Sequence, residues 1–212
     1  MASVFHPYGV KSGKITFEKR RYGIHTTLHI DSHNHIQGSR SNPYYVEEEI
    51  VYYWDDYGDV AFEEAYKLAG FGGKSLPNRV KKYEKLWKGS HRYYYDVKKK
   101  HVSDDPYYTR AACIQAGKLC EVAGWFKVLY PQAQELGAES VAGKMATHYR
   151  ESAYSDYYLY NGLVLREMNY STKQKNGKEV RFEPETERIA IKVEEDVRPN
   201  PSIFKPQWLK EK

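Results

Sequence analysis

Residues 29–35 contain the histidines and acid whose spacing is best suited to chemistry. His33 and His35 are two residues apart, and His29 and Asp31 come just before them. Side chains i and i+2 of an extended strand lie on one face, so such a pair can bind one metal ion. A zinc site needs three or four ligands, and the other histidines are scattered. We therefore expect a polar segment that contacts a partner, with a metal site at His33, His35 and His29 as the alternative.

Catalytic interpretations of the sequence are weaker still. Rolling-circle nucleases use a His-x-His pair with a distant tyrosine, but the middle residue there is normally bulky and apolar, whereas here it is Asn34. Glu47–Glu49 and Asp55–Asp56 are expected to form a solvated face. No glycine-rich phosphate loop or nucleophile elbow is present. The sequence thus predicts no catalytic residue, no cofactor and no enzymatic activity, with a metal-dependent enzyme at His33 and His35 as a third-ranked function.

A basic run, Lys98, Lys99 and Lys100, follows three tyrosines at 93–95. Lysines beside aromatic rings can neutralise phosphates and stack bases. They can equally face anionic lipid headgroups or water. Net charge is only +5 and the isoelectric point is near 8.9. Nucleic acid is therefore not expected as the main partner, although this face leaves it open.

Composition favours a subunit of a larger assembly. Apolar residues make up 41% of the 212 residues and mean hydropathy is −0.80, yet there are 21 tyrosines. Tyrosine suits surfaces that become buried against a partner. No run of 18 apolar residues occurs, so no membrane span is predicted. Cys113 and Cys120 are interpreted as buried thiols of a protein from a reducing compartment.

Periodicity and capping signals predict a mainly α fold. Helices are expected over residues 44–57, 60–71 and 76–100, and the densest helical run is 105–168. Residues 24–36 alternate and predict an extended segment. The resulting division is an extended N-terminal arm (1–43), a helical-repeat domain (44–168), and a β-hairpin with a proline-punctuated tail (169–212).

An offset of about 34 residues relates two parts of the helical run. Ala112 matches Ala146, Phe126 matches Tyr160 and Leu129 matches Leu163 in apolar character. Such a period predicts a small α-solenoid of antiparallel helical pairs of the tetratricopeptide or pentatricopeptide type. The sequence Lys175–Lys178 contains Asn-Gly and predicts a hairpin turn.

Two blocks of the chain carry a family resemblance. Residues 50–64 read Ile-Val-Tyr-Tyr-Trp-Asp-Asp-Tyr-Gly-Asp-Val-Ala-Phe-Glu-Glu, and Arg110-Ala-Ala-Cys113 precedes Phe126 and Leu129. These blocks resemble cytochrome c oxidase subunit Va, a pentatricopeptide-like helical subunit. The resemblance implies a non-catalytic accessory subunit on the matrix face of the mitochondrial inner membrane.

The leading functional expectation follows from that resemblance. It is an accessory subunit of a mitochondrial respiratory complex, most similar to the oxidase, which is peripheral to the membrane and contacts other subunits of a large hetero-oligomeric complex. A mitochondrial ribosomal or RNA-binding helical-repeat protein and an accessory subunit of the ATP synthase are the alternatives. Six aromatic side chains are expected to anchor the partner: Tyr52, Tyr53, Trp54, Trp125, Phe204 and Trp208.

Overall fold

Eleven antiparallel strands form one sheet in the computed structural model, which describes residues 7–30, 36–69, 75–106 and 124–210. Their order across the sheet is β6-β5-β4-β3-β2-β1-β11-β10-β9-β8-β7, so each strand except β1 and β11 pairs only with its neighbours in sequence. One short helix, α1 (Gly124–Leu129), precedes β7. The strands are β1 (Gly13–Ile30), β2 (Ile36–Asp55), β3 (Val60–Ala69), β4 (Ser75–Lys88), β5 (His91–Asp96), β6 (His101–Pro106), β7 (Gln134–Val141), β8 (Lys144–Arg150), β9 (Ser155–Tyr160), β10 (Leu163–Lys175) and β11 (Lys178–Glu195).

The predicted α-solenoid is wrong. Strands dominate the described residues, and β2 to β10, with the short helix α1, occupy the described part of the expected helical-repeat domain. The run from Ile50 to Trp54 is apolar throughout because β2 packs against side chains on both of its faces. A continuous apolar run does not separate a strand from a helix by its period. Of the residues related by the offset of 34, Phe126, Ala146 and Leu163 are buried, so the offset picked out some apolar core positions but no helical pairs.

Three of the four connections among the last five strands are tight turns. Asn176-Gly177, Asn161-Gly162 and Ala142-Gly143 each have both residues at positive φ. This is the pattern of a type I′ turn, whose twist matches that of a two-stranded ribbon. The hairpin turn predicted at Lys175–Lys178 is confirmed, since Lys175 pairs with Lys178. The predicted domain limits at 43/44 and 168/169 fall within β2 and β10.

The larger core lies on one face of the sheet and requires strong curvature. It brings together Trp54 of β2, Ile15 of β1, Val141 of β7 and Ala146 of β8. Strands β2 and β8 are far apart in the order of the sheet, so their side chains meet only if the sheet curls. This concave face positions the site described below.

A smaller core covers the opposite face of β3 to β5. Phe62 and Leu86 are paired in register and point away from the concave side. The C-terminal segment packs on them through two short 3₁₀ helices, Pro201–Phe204 and Gln207–Leu209. Phe204 and Trp208 supply the contacts, so the described part of the tail is held by the protein's own sheet.

Gly13 permits close packing of β1 against Trp54 in the larger core. A Cβ at this position would lie 2.4 Å from the carbonyl oxygen of Glu194 and 2.5 Å from the Trp54 ring. The backbone oxygen cannot move without disturbing the pairing of β1 with β11. We expect Gly13→Ala to destabilise the protein by about 1–3 kcal/mol, as overpacking does.

Urea unfolding followed by circular dichroism measures this effect. Gly143→Ala serves as a comparison, because its Cβ would meet no neighbour within 4 Å and only the positive φ opposes it. A Gly13→Ala protein as stable as the parent would contradict the packing of Trp54 against β1.

Candidate functional site

An aromatic cavity of about 210 Å³ opens on the concave face of the sheet. Phe17 comes from β1, Tyr52 from β2 and Trp87 from β4, while Leu163 and Val164 of β10 form the opposite wall. Residues of distant strands line one space because the sheet curls. Most of the cavity wall is apolar, so water inside the cavity finds few hydrogen-bond partners. The apolar part of a ligand can therefore replace that water.

The N-terminal segment and α1 complete the wall. The backbone N–H of Tyr8 donates to the Tyr57 carbonyl at 3.1 Å, and that of Gly9 donates to the Asn161 carbonyl at 2.9 Å. The segment thus connects the turn before β3 to the turn before β10. Its Tyr8 hydroxyl lies 2.7 Å from the Tyr52 hydroxyl.

Trp125 of α1 is held at the same mouth. Its indole N–H donates to the Gly162 carbonyl at 3.0 Å, and its ring lines the cavity. Tyr8 and Trp125 therefore reach the cavity from segments outside the sheet. Each is anchored by a hydrogen bond to a turn or strand, which fixes the shape of the mouth.

An ionic cluster lies at the base of the aromatic cavity. Glu63 of β3 is only 1% exposed. Its Oε2 accepts from Nη2 of Arg188 at 2.6 Å, and its Oε1 accepts from Nζ of Lys85 and from the Tyr83 hydroxyl, each at 3.0 Å. We call Glu63, Lys85 and Arg188 the ionic triad. Strands β2 and β1 lie between β3 and β11, so Arg188 reaches Glu63 across the concave face.

These contacts determine the protonation states of Glu63 and of the neighbouring Tyr83. Burial by itself raises the pKa of the Glu63 carboxyl, but Arg188 and Lys85 outweigh burial and hold that pKa below its usual value. Burial raises the pKa of the Tyr83 hydroxyl, and the neighbouring Glu63 charge raises it further. Glu63 is therefore a carboxylate and Tyr83 a neutral donor near neutral pH. Two cations and one anion give the triad a net charge of +1.

Arg188 has donor capacity that the described residues do not use. Its Nε is buried and has no hydrogen-bond partner among them. The side chain as a whole is 29% exposed, and its guanidinium lies 4.1 Å from the centre of the Phe17 ring. A buried donor left unsatisfied costs about 1–3 kcal/mol. A bound acidic group can remove that cost.

Three other buried carboxylates among the described residues are already paired with cations. Glu48 pairs with Lys19 and Lys82. Asp156 accepts from Arg181 Nη2 at 2.8 Å and also contacts Arg150 and His148. Glu187 accepts from Arg166, Arg20 and Tyr22. These groups hold strands together and do not line the aromatic cavity. Only the ionic triad combines a buried charge with an apolar cavity and an unused donor among the described residues.

The six expected partner anchors are distributed over three places. Tyr52 and Trp125 line the aromatic cavity. Trp54 is 0% exposed and belongs to the larger core. Tyr53, Phe204 and Trp208 pack in the smaller core. Their proposed role in holding a partner stays a prediction, but five of the six, including Tyr52, pack in the protein's own cores.

None of the other predicted residues whose side chains the structure describes lines the aromatic cavity. His33 and His35 lie outside the described residues, as do Cys113 and Cys120. His29 lies in β1 opposite Gly38 of β2. Within the described ranges no group of three His, Cys, Asp or Glu residues is arranged to hold a metal ion. Lys98, Lys99 and Lys100 are exposed in the turn between β5 and β6.

Sequence reasoning missed the ionic triad altogether. It places Glu63 and Lys85 in predicted helices and Arg188 in a short β appendix. The available signal was a charged residue among apolar ones, in Ala61-Phe62-Glu63-Glu64-Ala65 and in Arg188-Ile189-Ala190-Ile191. A charge within an apolar strand indicates a buried pair, but it does not name the partner.

Comparisons with known proteins found only solved structures of low similarity. A scan of protein-family models and a search of curated proteins gave no match. An uncharacterized conserved protein from Thermus thermophilus is 10% identical, with a TM-score of 0.45, over 93% of this chain and 86% of that one. MucB of Pseudomonas aeruginosa, solved in complex with MucA, is 13% identical, with a TM-score of 0.40, over 92% of this chain and 55% of that one. A DUF1329 family protein from Desulfovibrio piger is 9% identical, with a TM-score of 0.34, over 92% and 90%.

This chain spans about half the length of MucB. All three TM-scores are below 0.5, so no property of these proteins is transferred to it.

The predicted respiratory subunit is also wrong. The resemblance to oxidase subunit Va required pentatricopeptide-like helical pairs, and residues 50–64 instead form β2, a tight turn and β3. The mitochondrial location and the matrix-side docking rested on that resemblance and fall with it. None of the described helices has the length and apolar character needed to cross a membrane.

Proposed function

We propose that this protein binds a small acidic ligand with an apolar body, and does so without catalysing its conversion. The observation that carries the proposal is the partly exposed Arg188 side chain beside an aromatic cavity, whose Nε has no hydrogen-bond partner among the described residues. An acidic group placed at the triad would accept from Arg188, and its body would lie against Tyr52 and Trp87. Charge-assisted hydrogen bonds of this type are shorter and stronger than neutral ones.

The size of the cavity limits the ligand. Pockets for drug-sized ligands measure about 300–1,000 Å³. The aromatic cavity, at about 210 Å³, is smaller. Arylalkanoic and medium-chain alkanoic acids, such as 3-phenylpropanoate and octanoate, fit this combination of volume, apolar wall and net positive charge.

The protonation state of Glu63 supports binding without catalysis. A general base works best when its pKa lies near the working pH. The Glu63 pKa is lowered, and both of its oxygens already accept hydrogen bonds. Such a carboxylate is a weak base, so its role in this proposal is to hold Arg188 and Lys85 in place.

Calorimetric titration with 3-phenylpropanoate, and with the neutral 3-phenylpropanamide as its match, tests the proposal. We expect the acid to bind at least tenfold more tightly than the amide. Arg188→Met should weaken binding of the acid by about 10- to 100-fold, since a hydrogen bond to a charged group contributes about 1.5–3 kcal/mol. Octanoate and octanol provide a second pair with an aliphatic body.

Two further variants keep this test decisive. Arg188→Lys retains a cation and should retain the preference for the acid even if affinity falls. Arg79→Met removes a similar cation that pairs with Glu49 away from the cavity, so it should leave binding unchanged. Equal binding of acid and amide, or no binding of either, would refute the proposal.

Membership of a larger assembly, expected from the tyrosine content, is a separate proposal. The exposed Leu136 and Met145 of the β7–β8 hairpin are apolar side chains suited to such a contact. Native mass spectrometry of the protein purified from its source under mild conditions provides the test. A monomeric mass alone would contradict membership.

A further inference from the structure

A second cavity lies on the other side of the ionic triad. It measures about 200 Å³, and Glu63, Lys85 and Arg188 line both it and the aromatic cavity. The triad is therefore a wall shared by two spaces. A ligand group next to an acid held at this wall can enter the second space, which we call the polar cavity.

The lining of the polar cavity differs sharply from that of the aromatic one. Besides the ionic triad, Lys19 and Lys82 line it and pair with Glu48. The carboxylates of Glu167 and Glu187 also line it. Asn169 of β10 and Thr186 of β11 face each other in register and add an amide and a hydroxyl. Donors and acceptors are both present, and four basic side chains and four carboxylates line the cavity. This environment suits an uncharged hydrogen-bonding group better than a second anion.

Asn169 and Thr186 are placed to meet such a group. Thr186 lies two residues before Arg188 on the same face of β11, about 7 Å along the strand. The Asn169 amide donates to the Thr186 hydroxyl at 3.3 Å and to Glu167 at 3.5 Å. Both distances exceed the usual length of about 2.9–3.0 Å for N–H···O hydrogen bonds. These weak contacts can be exchanged for hydrogen bonds to a ligand at little cost.

We infer that the polar cavity is a subsite for a hydroxyl group next to the ligand's acid, so that the ligand class is a hydroxy acid with an apolar body. The inference rests on the proposed function, because the acid must first be held by Arg188. The apolar body lies in the aromatic cavity, the carboxylate at the ionic triad, and the hydroxyl beside Asn169 and Thr186.

Calorimetry with 3-phenyllactate and 3-phenylpropanoate tests this inference, because the two acids differ only in the hydroxyl. Each enantiomer of 3-phenyllactate is titrated separately. We expect one enantiomer to bind roughly 3- to 10-fold more tightly than 3-phenylpropanoate, the contribution of one neutral hydrogen bond. Thr186→Val keeps the shape of the side chain and should bring this ratio close to one.

Thr172→Val, on β10 and outside both cavities, is the matched control and should leave the ratio as in the parent. A preserved ratio in Thr186→Val would overturn the assignment of the subsite. Tight binding of 3-phenylpropanoate with no gain for either enantiomer would overturn the subsite and leave the proposed function intact. Failure of every acid to bind would remove both.

Discussion

Glu63→Gln is expected to lower the free energy of unfolding by about 3 kcal/mol, the typical cost of removing one partner from a buried ion pair. The carboxylate accepts from Arg188, Lys85 and Tyr83, and glutamine keeps the shape but loses the charge. Two cations would then lie together at the base of the cavity without a counter-charge. For a protein of this size the loss corresponds to a fall in Tm of about 6–12 °C.

The matched control is Glu139→Gln on β7. Glu139 is 53% exposed and pairs with Arg166 at 3.1 Å. Exposed pairs contribute at most about 1 kcal/mol, so this variant should melt within about 4 °C of the parent. If the two glutamine variants were equally stable, Glu63 would not be the buried centre of an ion cluster.

The stability difference between the parent protein and Glu63→Gln is also expected to depend on pH. The Glu63 pKa is lower in the folded protein than its ordinary value of 4.5. Its contribution to stability is therefore complete above about pH 4.5 and is lost as the pH falls through the folded pKa. Urea unfolding from about pH 7 to about pH 3 should show the gap between the parent and Glu63→Gln narrowing below about pH 4.5. A gap that stayed constant across this range would mean that Glu63 does not carry the charge.

Trp54→Ala is the second large expected effect, a loss of about 3–5 kcal/mol. Trp54 is fully buried, its indole N–H donates to the Val10 carbonyl at 3.0 Å, and its ring packs edge-on against Tyr8. The substitution leaves a large void and an unsatisfied carbonyl. It should also loosen the N-terminal segment that carries Tyr8 to the mouth of the aromatic cavity.

Tyr154→Ala provides the comparison for an exposed aromatic residue. Tyr154 is 44% exposed, and its backbone hydrogen bonds are kept by alanine. We expect its free energy of unfolding to stay within about 0.5 kcal/mol of the parent. An unaffected Trp54→Ala protein would instead favour the surface role first predicted for Trp54.

Local turn chemistry could be read directly from the sequence. Asn176-Gly177 predicted a hairpin because both residues tolerate positive φ, and the turn is present. Asn161-Gly162 carries the same signal and forms the same turn, but it lies inside the predicted helical run. The turn at Asn161-Gly162 could therefore have been predicted from its two residues. The apparent 34-residue repeat favoured a helix there instead.

The ionic triad and the two cavities depend on the tertiary structure. Glu63 and Arg188 are 125 residues apart in the chain, and neither lies near a motif. They meet because β1 pairs with β11 and because the sheet curls around the larger core. Strand order, register and curvature are collective properties of many weak contacts, so no short stretch of sequence encodes them.

By itself, the sequence determined the hairpin at Lys175–Lys178, the excess of tyrosine over other aromatics and the scarcity of catalytic motifs. The fold class could not be read from period alone, because β2 buries both faces and thereby loses its alternation. Only the tertiary structure decided that tyrosines and tryptophans line a cavity and two cores. It also decided that Arg188, at the base of the cavity, has an Nε without a hydrogen-bond partner among the described residues. The physical reason is that burial and hydrogen-bond satisfaction are set by neighbours distant in the chain.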